Sequence, residues 1–516
     1  MPTRTLSLAQ TDELQPGQMK SVEVDGHPIL LGQIGDQYFA MYGACTHYGA
    51  PLADGILAGH RVVCPWHHAC FDLRSGKHLE APGLDSVPSY PVTVQGNELM
   101  VELPEELTDR VEAPMADLSP DNEEHYVVIG GGAAGAYAVE GMRQAGFTGK
   151  ISLISAEAIV PYDRPNCSKE YLSDEAPAEW MPLRGPEFYR EHGIDLHLGQ
   201  RVHELDPSQN RIRLSDGSEM RYDKVLVCTG GKAKTLPIEG VEAPNVYPLR
   251  SIRDSQDLRE AAKAAQQVVV VGASFIGMEA AMSLGKLGPQ VTVVGPEDEP
   301  FERVFGTQVG QLARQLHERN GTKFHLARKV ERIEVQDGRA QAVVLDDGTQ
   351  LAADLVVLGV GVQPATDFLL NFHTEADGGL KTDAHLHAGN NVFAAGDLVH
   401  HPYRGQHVRI EHWKVAAQQG RAAGRNMAGA KEPYQAEPFF WSMQPGTAFG
   451  YVGHATDYDQ VVIDGELDPE NPAFIAYYLK GEEVQAALAA AKDEELSRVQ
   501  EAFFEGKYKL EEVRQK

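Results

Sequence analysis

The chain has 516 residues, enough for three or four domains with cores of their own. Its 42% hydrophobic and 23% charged fractions are ordinary for a globular protein. A formal net charge of -28 argues against nucleic acid and anionic membranes as partners.

The first 20 residues show no apolar leader, and the longest apolar stretch, Val268 to Met278, is too short and glycine-broken to span a bilayer. Five cysteines are too few for a disulfide framework, so a reducing cytoplasm without a membrane span is the expectation.

Residues 1–105 are short alternating segments broken by Gly and Pro, such as Ser21-Val-Glu-Val, and predict a small all-β domain. Inside it stand Cys45-Thr-His47 and Cys64-Pro-Trp-His67, with sixteen residues between His47 and Cys64. Each half puts a thiolate and an imidazole on one tight loop, so the two loops offer two sulfurs and two nitrogens to a dinuclear centre. Cys2His2 zinc uses the same ligand types and competes.

The residues around the ligands, Gly49-Ala-Pro51-Leu and Cys64-Pro-Trp-His67, resemble a Rieske domain. That resemblance implies a [2Fe–2S] cluster with Cys45 and Cys64 on one iron and His47 and His67 on the other. Rieske domains of respiratory bc-type complexes carry a further, disulfide-forming cysteine in each loop. Ala50 and Trp66 stand there instead, so these loops resemble the ferredoxin and dioxygenase branch. His68 replaces that branch's usual glycine, and is expected at the surface or as a hydrogen-bonding neighbour of the cluster. Cys70 is expected to be a small core residue.

Residues 106–123 are acidic and aperiodic, as in a linker. The stretch Val127 to Gly135 then reads as a strand meeting Gly130, Gly132 and Gly135, with Ala134 in the same nucleotide turn and a helical pattern, Ala138 to Gln144, following. The first glycine permits the turn, the second a close pyrophosphate, and the third tight helix–strand packing. Glu157 follows the next strand, where an acid takes a ribose hydroxyl. Gly396-Asp397 ends a later strand and suits the ribityl chain of a flavin, which makes the nucleotide FAD. Thr229-Gly230 closes another strand of this unit. Cys167 has no cysteine four or five residues away, so no flavin-linked disulfide is expected.

A second dinucleotide unit runs through Gly272, Ser274, Phe275, Ile276, Gly277 and Glu279, with serine in the middle glycine position. Its second strand ends at Gly295, followed by Glu297. An acid there repels a 2′-phosphate, which favours NADH over NADPH. The unit closes at Gly361. Residues 433–480 read as strands, and Val484, Leu488, Leu496, Val499 and Phe503 share helical spacing. That stripe would pack on its own domain or on a second subunit, forming a homodimer.

The predicted architecture is an all-β Rieske domain (1–105), a linker (106–123), a discontinuous α/β FAD domain (124–250 and 377–432), an α/β NAD(P)H domain (251–376) and an α+β domain (433–516). This order is similar to the ferredoxin reductases of bacterial oxygenase systems, and closer still to apoptosis-inducing-factor-like proteins with an N-terminal Rieske domain. The resemblance rests on Pro161-Tyr-Asp-Arg-Pro with Ser168-Lys169, on Gly272 to Glu279, and on Glu411-His412-Trp413.

The resemblance implies that Arg164 and Lys169 touch the flavin and that Glu279 pairs with Lys169. It places Phe275 near the nicotinamide, with His412 and Trp441 at the flavin's other side. NAD(P)H yields two electrons as hydride and an iron–sulfur cluster accepts one, so a flavin between them completes a route to an unidentified one-electron acceptor protein. The alternative is an NADH-responsive sensor of the apoptosis-inducing-factor type.

Overall fold

In the computed structural model, which describes residues 2–514, the N-terminal region is all β, as predicted. A three-stranded sheet (Thr3–Gln10, Glu98–Pro104, Val92–Gln95) and a four-stranded one (Met19–Val24, His27–Ile34, Gln37–Tyr42, Ser89–Tyr90) share a core around Ile29, Leu31 and Leu99. A second four-stranded sheet, Ile56–Ala58 to His78–Glu80, carries the ligand loops. One loop leaves Gln37–Tyr42 and the other joins Arg61–Val63 to Cys70–Asp72.

The first dinucleotide unit is a six-stranded sheet in the order Ile194–Leu198, Lys150–Ser155, His125–Ile129, Lys224–Val227, Val392–Ala394, His387–Gly389. Only the last pairing is antiparallel. The second unit is a five-stranded parallel sheet centred on Gln267–Val271. Parallel strands covered on both faces bury every side chain, which is why this one reads as an unbroken valine run.

The helix Ala133–Gln144 crosses the helix Trp413–Met427 at close range. A Cβ on Gly420 would lie 2.1 Å from the Ala134 carbonyl oxygen, and one on Gly424 2.2 Å from that of Ala138. Glycines at these two positions let the second helix bring its N-terminus, with Trp413 and Lys414, to the first unit's nucleotide turn.

Three expectations change. The second sheet begins with Val246–Pro248, which pairs in parallel with Leu355–Leu358, so the 250/251 boundary falls too late. Residues 106–123 contain no helix or strand, yet they are bound to the body: Val111 pairs with Ser86, and the Ala116 and Ser119 amides donate to the carbonyls of Arg143 and Thr148. Val484 and Leu488 sit in the strand Glu483–Ala490, and the helix starts only at Asp493. A spacing of four satisfies both a helical and a two-residue period, so those two positions carried no choice between them. The whole stripe is buried within the chain: Val484, Leu496, Val499 and Phe503 in the C-terminal core, and Leu488 in a core shared with the second unit. Among the described residues no helix is long and apolar enough to cross a membrane.

Candidate functional site

The two nucleotide turns obey the same sterics. Gly130 has φ +130° and a Cβ there would stand 2.2 Å from the Cys228 carbonyl oxygen; Gly272 has φ +118° and would meet that of Gly359 at 2.3 Å. Gly135 and Gly277 lie against the carbonyl oxygens of Gly130 and Gly272, at 2.0 and 1.9 Å from a hypothetical Cβ. These contacts are backbone on backbone and admit no side chain. Gly132 meets nothing within 4 Å, so protein packing does not demand glycine there, and Ser274 occupies the same place in the second unit.

Both turns open on one cavity of ≈ 900 Å³. Gly130, Gly132 and Ala134 line it from the first unit, joined by Glu157, Thr229, Gly230, Gly396 and Asp397. Ser274, Phe275, Ile276 and Gly361 line it from the second. Gly135, Gly272 and Gly277 do not; they act through close backbone packing.

Glu157 accepts hydrogen bonds from Tyr162 Oη (2.7 Å) and Arg164 (2.6 Å). Arg164 therefore lines the cavity with its donors turned to Glu157 and to the Arg250 carbonyl (2.8 Å). Arg250, which no motif singled out, pairs with Asp397 at 2.8 Å. Glu297 lies outside the cavity and pairs at 3.3 Å with Arg303.

One wall of the cavity is charged. Lys169 Nζ lies 2.7 Å from Glu279 Oε2, both side chains buried. Ser168 Oγ donates to the same oxygen at 2.6 Å, while Ser442 Oγ donates to Glu279 Oε1 at 2.9 Å. Behind Ser442, Gln444 donates to its hydroxyl at 3.0 Å, and His317 Nε2 lies 3.1 Å from Gln444 Oε1. Burial pushes His317 down to about 4, so this imidazole is neutral at pH 7. A loop of the first unit, a helix of the second and a C-terminal strand thus meet on one carboxylate. Sequence pattern missed Ser442, because a serine in an apolar strand carries no functional signal.

Another part of the lining is aromatic. His412 stacks on Phe440 with ring centroids 4.0 Å apart, and burial pushes it down to about 3. Trp413 and Trp441 line the cavity and also touch the N-terminal domain. Trp441 lies 4.2 Å from His67 by centroid, and Trp413 stacks 6.3 Å from His47. The cluster loops therefore face the cavity across two indoles.

The four predicted cluster ligands come together as two pairs. His47 Nδ1 and His67 Nδ1 are 3.1 Å apart, and the buried Cys45 and Cys64 thiols act on each other, Cys64 being the more acidic of the two. Among the described residues no three His, Cys, Asp or Glu side chains gather round a single point. Two sulfurs together and two nitrogens together suit two irons with two protein ligands each, rather than one tetrahedral zinc. His47 Nε2 is buried with no hydrogen-bond partner, 3.8 Å from Asp163 of the flavin unit.

His68 is not a surface residue. It is 1% exposed, stacks on Phe439 at 4.0 Å, and lies between Gln500 and Ser497 of the helix Asp493–Phe504. Its φ is +54°, the left-handed region that favours the glycine of related loops. Here an imidazole accepts that conformation and anchors the loop to the C-terminal domain. Cys70 is buried, as expected. Cys167 is also buried, with its thiol pushed up to about 12 by burial, so it is not a low-pKa nucleophile.

Three family models match the chain: pyridine nucleotide-disulphide oxidoreductase over residues 124–420, Rieske [2Fe-2S] domain over 4–91, and reductase C-terminal over 439–512. The chain belongs to the pyridine nucleotide-disulphide oxidoreductases. Human apoptosis-inducing factor 3 is 34% identical over 514 residues, 97% of this chain and 84% of that protein. The ferredoxin reductase subunit of 5,5'-dehydrodivanillate O-demethylase from Sphingobium is 35% identical over 69% of this chain and 87% of its own length. Putidaredoxin reductase, in its covalent complex with putidaredoxin, superposes with a TM-score of 0.70 at 29% identity, covering 74% of this chain and 94% of its own.

The chain is thus an FAD-dependent NAD(P)H oxidoreductase with a Rieske [2Fe–2S] domain fused at its N-terminal side. None of its five cysteines is joined in a disulphide.

Proposed function

We propose that the chain passes electrons from NAD(P)H through FAD in the central cavity to the Rieske cluster docked on the same cavity, and from there to a one-electron acceptor protein. The observation that carries this route is shared contact: Trp413 and Trp441 line the cavity and lie against the cluster ligands His47 and His67. FAD, when bound, takes two electrons as hydride and releases them singly, which an iron–sulfur centre requires.

Gly130, Gly132 and the N-terminus of Ala133–Gln144 would hold the pyrophosphate, Glu157 a ribose, and Asp397 the ribityl chain. Lys169, fixed by Glu279, would present its ammonium where negative charge develops on the flavin ring. Ser274, Phe275 and Ile276 would border the nicotinamide. Glu297 would oppose a 2′-phosphate and favour NADH, less strongly than a lone acid because Arg303 shares its charge.

Five cysteines, two of them predicted cluster ligands and none in a disulphide, support a reducing, cytoplasmic compartment. The cluster in this chain would take the place of the separate small redox protein named in the complex of putidaredoxin reductase. Anaerobic titration with NADH, and separately with NADPH, tests the reading through flavin absorbance and cluster EPR. Reduction of both centres supports it. A flavin–NAD⁺ charge-transfer complex beside an oxidised cluster refutes it and favours the sensor.

A further inference from the structure

Lys414 is fully buried, at 0% exposure. It stands in the first turn of the helix Trp413–Met427, where the helix dipole disfavours a cation. Its ammonium donates to the His68 carbonyl at 2.6 Å, lies 3.8 Å from Glu80 Oε2, and sits 5.2 Å from the centre of the Phe439 ring. Glu80 in turn is engaged by Arg61 at 2.5 Å and by Gln418 at 3.1 Å. One hydrogen bond and a distant, shared carboxylate compensate an ammonium poorly for lost water. Stability alone does not account for a lysine here.

Its surroundings do. Lys414 lines the flavin cavity, and its single hydrogen bond goes to the carbonyl of His68, the residue that follows the predicted cluster ligand His67. The charge is therefore held beside the Cys64 loop, shielded from solvent, on a residue that also borders the flavin cavity.

The geometry points to Lys414 as a charge that sets the reduction potential of the Rieske cluster, its buried ammonium stabilising the electron the cluster receives. The inference rests on the route proposed above. Two ferric ions, two sulfides, two thiolates and two neutral imidazoles sum to zero charge. One electron makes the centre singly negative, and no bond forms or breaks. A fixed positive charge in a low-dielectric setting favours that negative state. Glu80 opposes the effect, and its engagement by Arg61 weakens the opposition.

The test is an EPR-monitored reductive titration of the full-length holoprotein with dithionite and mediators. K414M is expected to make the cluster harder to reduce, by about tenfold in the reduction equilibrium, or about 59 mV for a one-electron couple. K414R keeps the charge and should stay near the wild-type midpoint. E80Q removes the opposing carboxylate and should move the midpoint upward, and K414M/E80Q should fall between K414M and wild type. An unchanged midpoint in K414M overturns the inference. If K414M fails to retain its cluster, E80Q decides alone: an upward shift supports the inference, and no shift or a downward one overturns it. Dithionite reduces the cluster without NAD(P)H, so failure here leaves the proposed route standing. Failure of that route, seen only with NADH or NADPH, would not move these midpoints.

Discussion

The two walls of the central cavity are built from opposite materials. On the hydride side, Lys169 and Glu279 form a buried ion pair whose carboxylate takes hydrogen bonds from Ser168 and Ser442. On the cluster side, Trp413, Trp441, His47 and His67 meet through ring contacts. Under the proposed route, the difference follows the particle transferred. A hydride moves with its atom, so the first wall must fix a donor and stabilise developing charge in one geometry. An electron needs proximity, and contiguous rings supply it with little directional bonding.

Variants that damage one wall and spare the other test this division. The largest effect is expected from Glu279→Ala, which leaves the Lys169 ammonium buried and unpaired. It should cost about 3–5 kcal/mol of stability, read by thermal or denaturant unfolding, because three domains meet on that carboxylate. Lys169→Met should slow flavin bleaching by NADH about 10²–10³-fold in stopped flow. Electron transfer from photoreduced flavin to the cluster should remain at the wild-type rate; if it slows equally, the walls are not independent.

Acid should weaken the hydride wall through His317. Its folded value of about 4 lies below the ordinary value of 6.5, so unfolding takes up a proton between these limits. Stability is then full above about pH 6.5 and falls as pH drops toward 4, by up to about 3 kcal/mol. His317→Gln should flatten that part of the stability profile. A smaller effect of the reverse kind is expected from Trp441→Ala: cluster reduction slows severalfold after flash reduction of the flavin, while bleaching by NADH keeps its rate. Equal slowing of both steps would dissolve the comparison.

How legible these walls are in the sequence depends on how local they are. Cys45, His47, Cys64 and His67 occupy two short loops and carry their own spacing, so the pattern is visible without any distant partner. The turn glycines are legible for the same reason, since each answers to a carbonyl oxygen of its own unit. Arg250 and Ser442 were hidden because their partners, Asp397 and Glu279, lie far away in the chain. His68 and Lys414 reverse the usual expectation for polar residues: both are buried, at a junction that exists only once three domains have packed. Val484 and Leu488 show a different limit, since their spacing fits a strand as well as a helix and the neighbouring sheet decided between them.

The most direct test of the account is anaerobic rapid mixing of the holoprotein with one equivalent of NADH, following flavin absorbance and freeze-quenched EPR in the same samples. The account predicts flavin bleaching first, then partial return of flavin absorbance as a Rieske-type signal grows in at a matching rate. A bleached flavin in a persistent charge-transfer complex, with the cluster EPR-silent over the same interval, would contradict it.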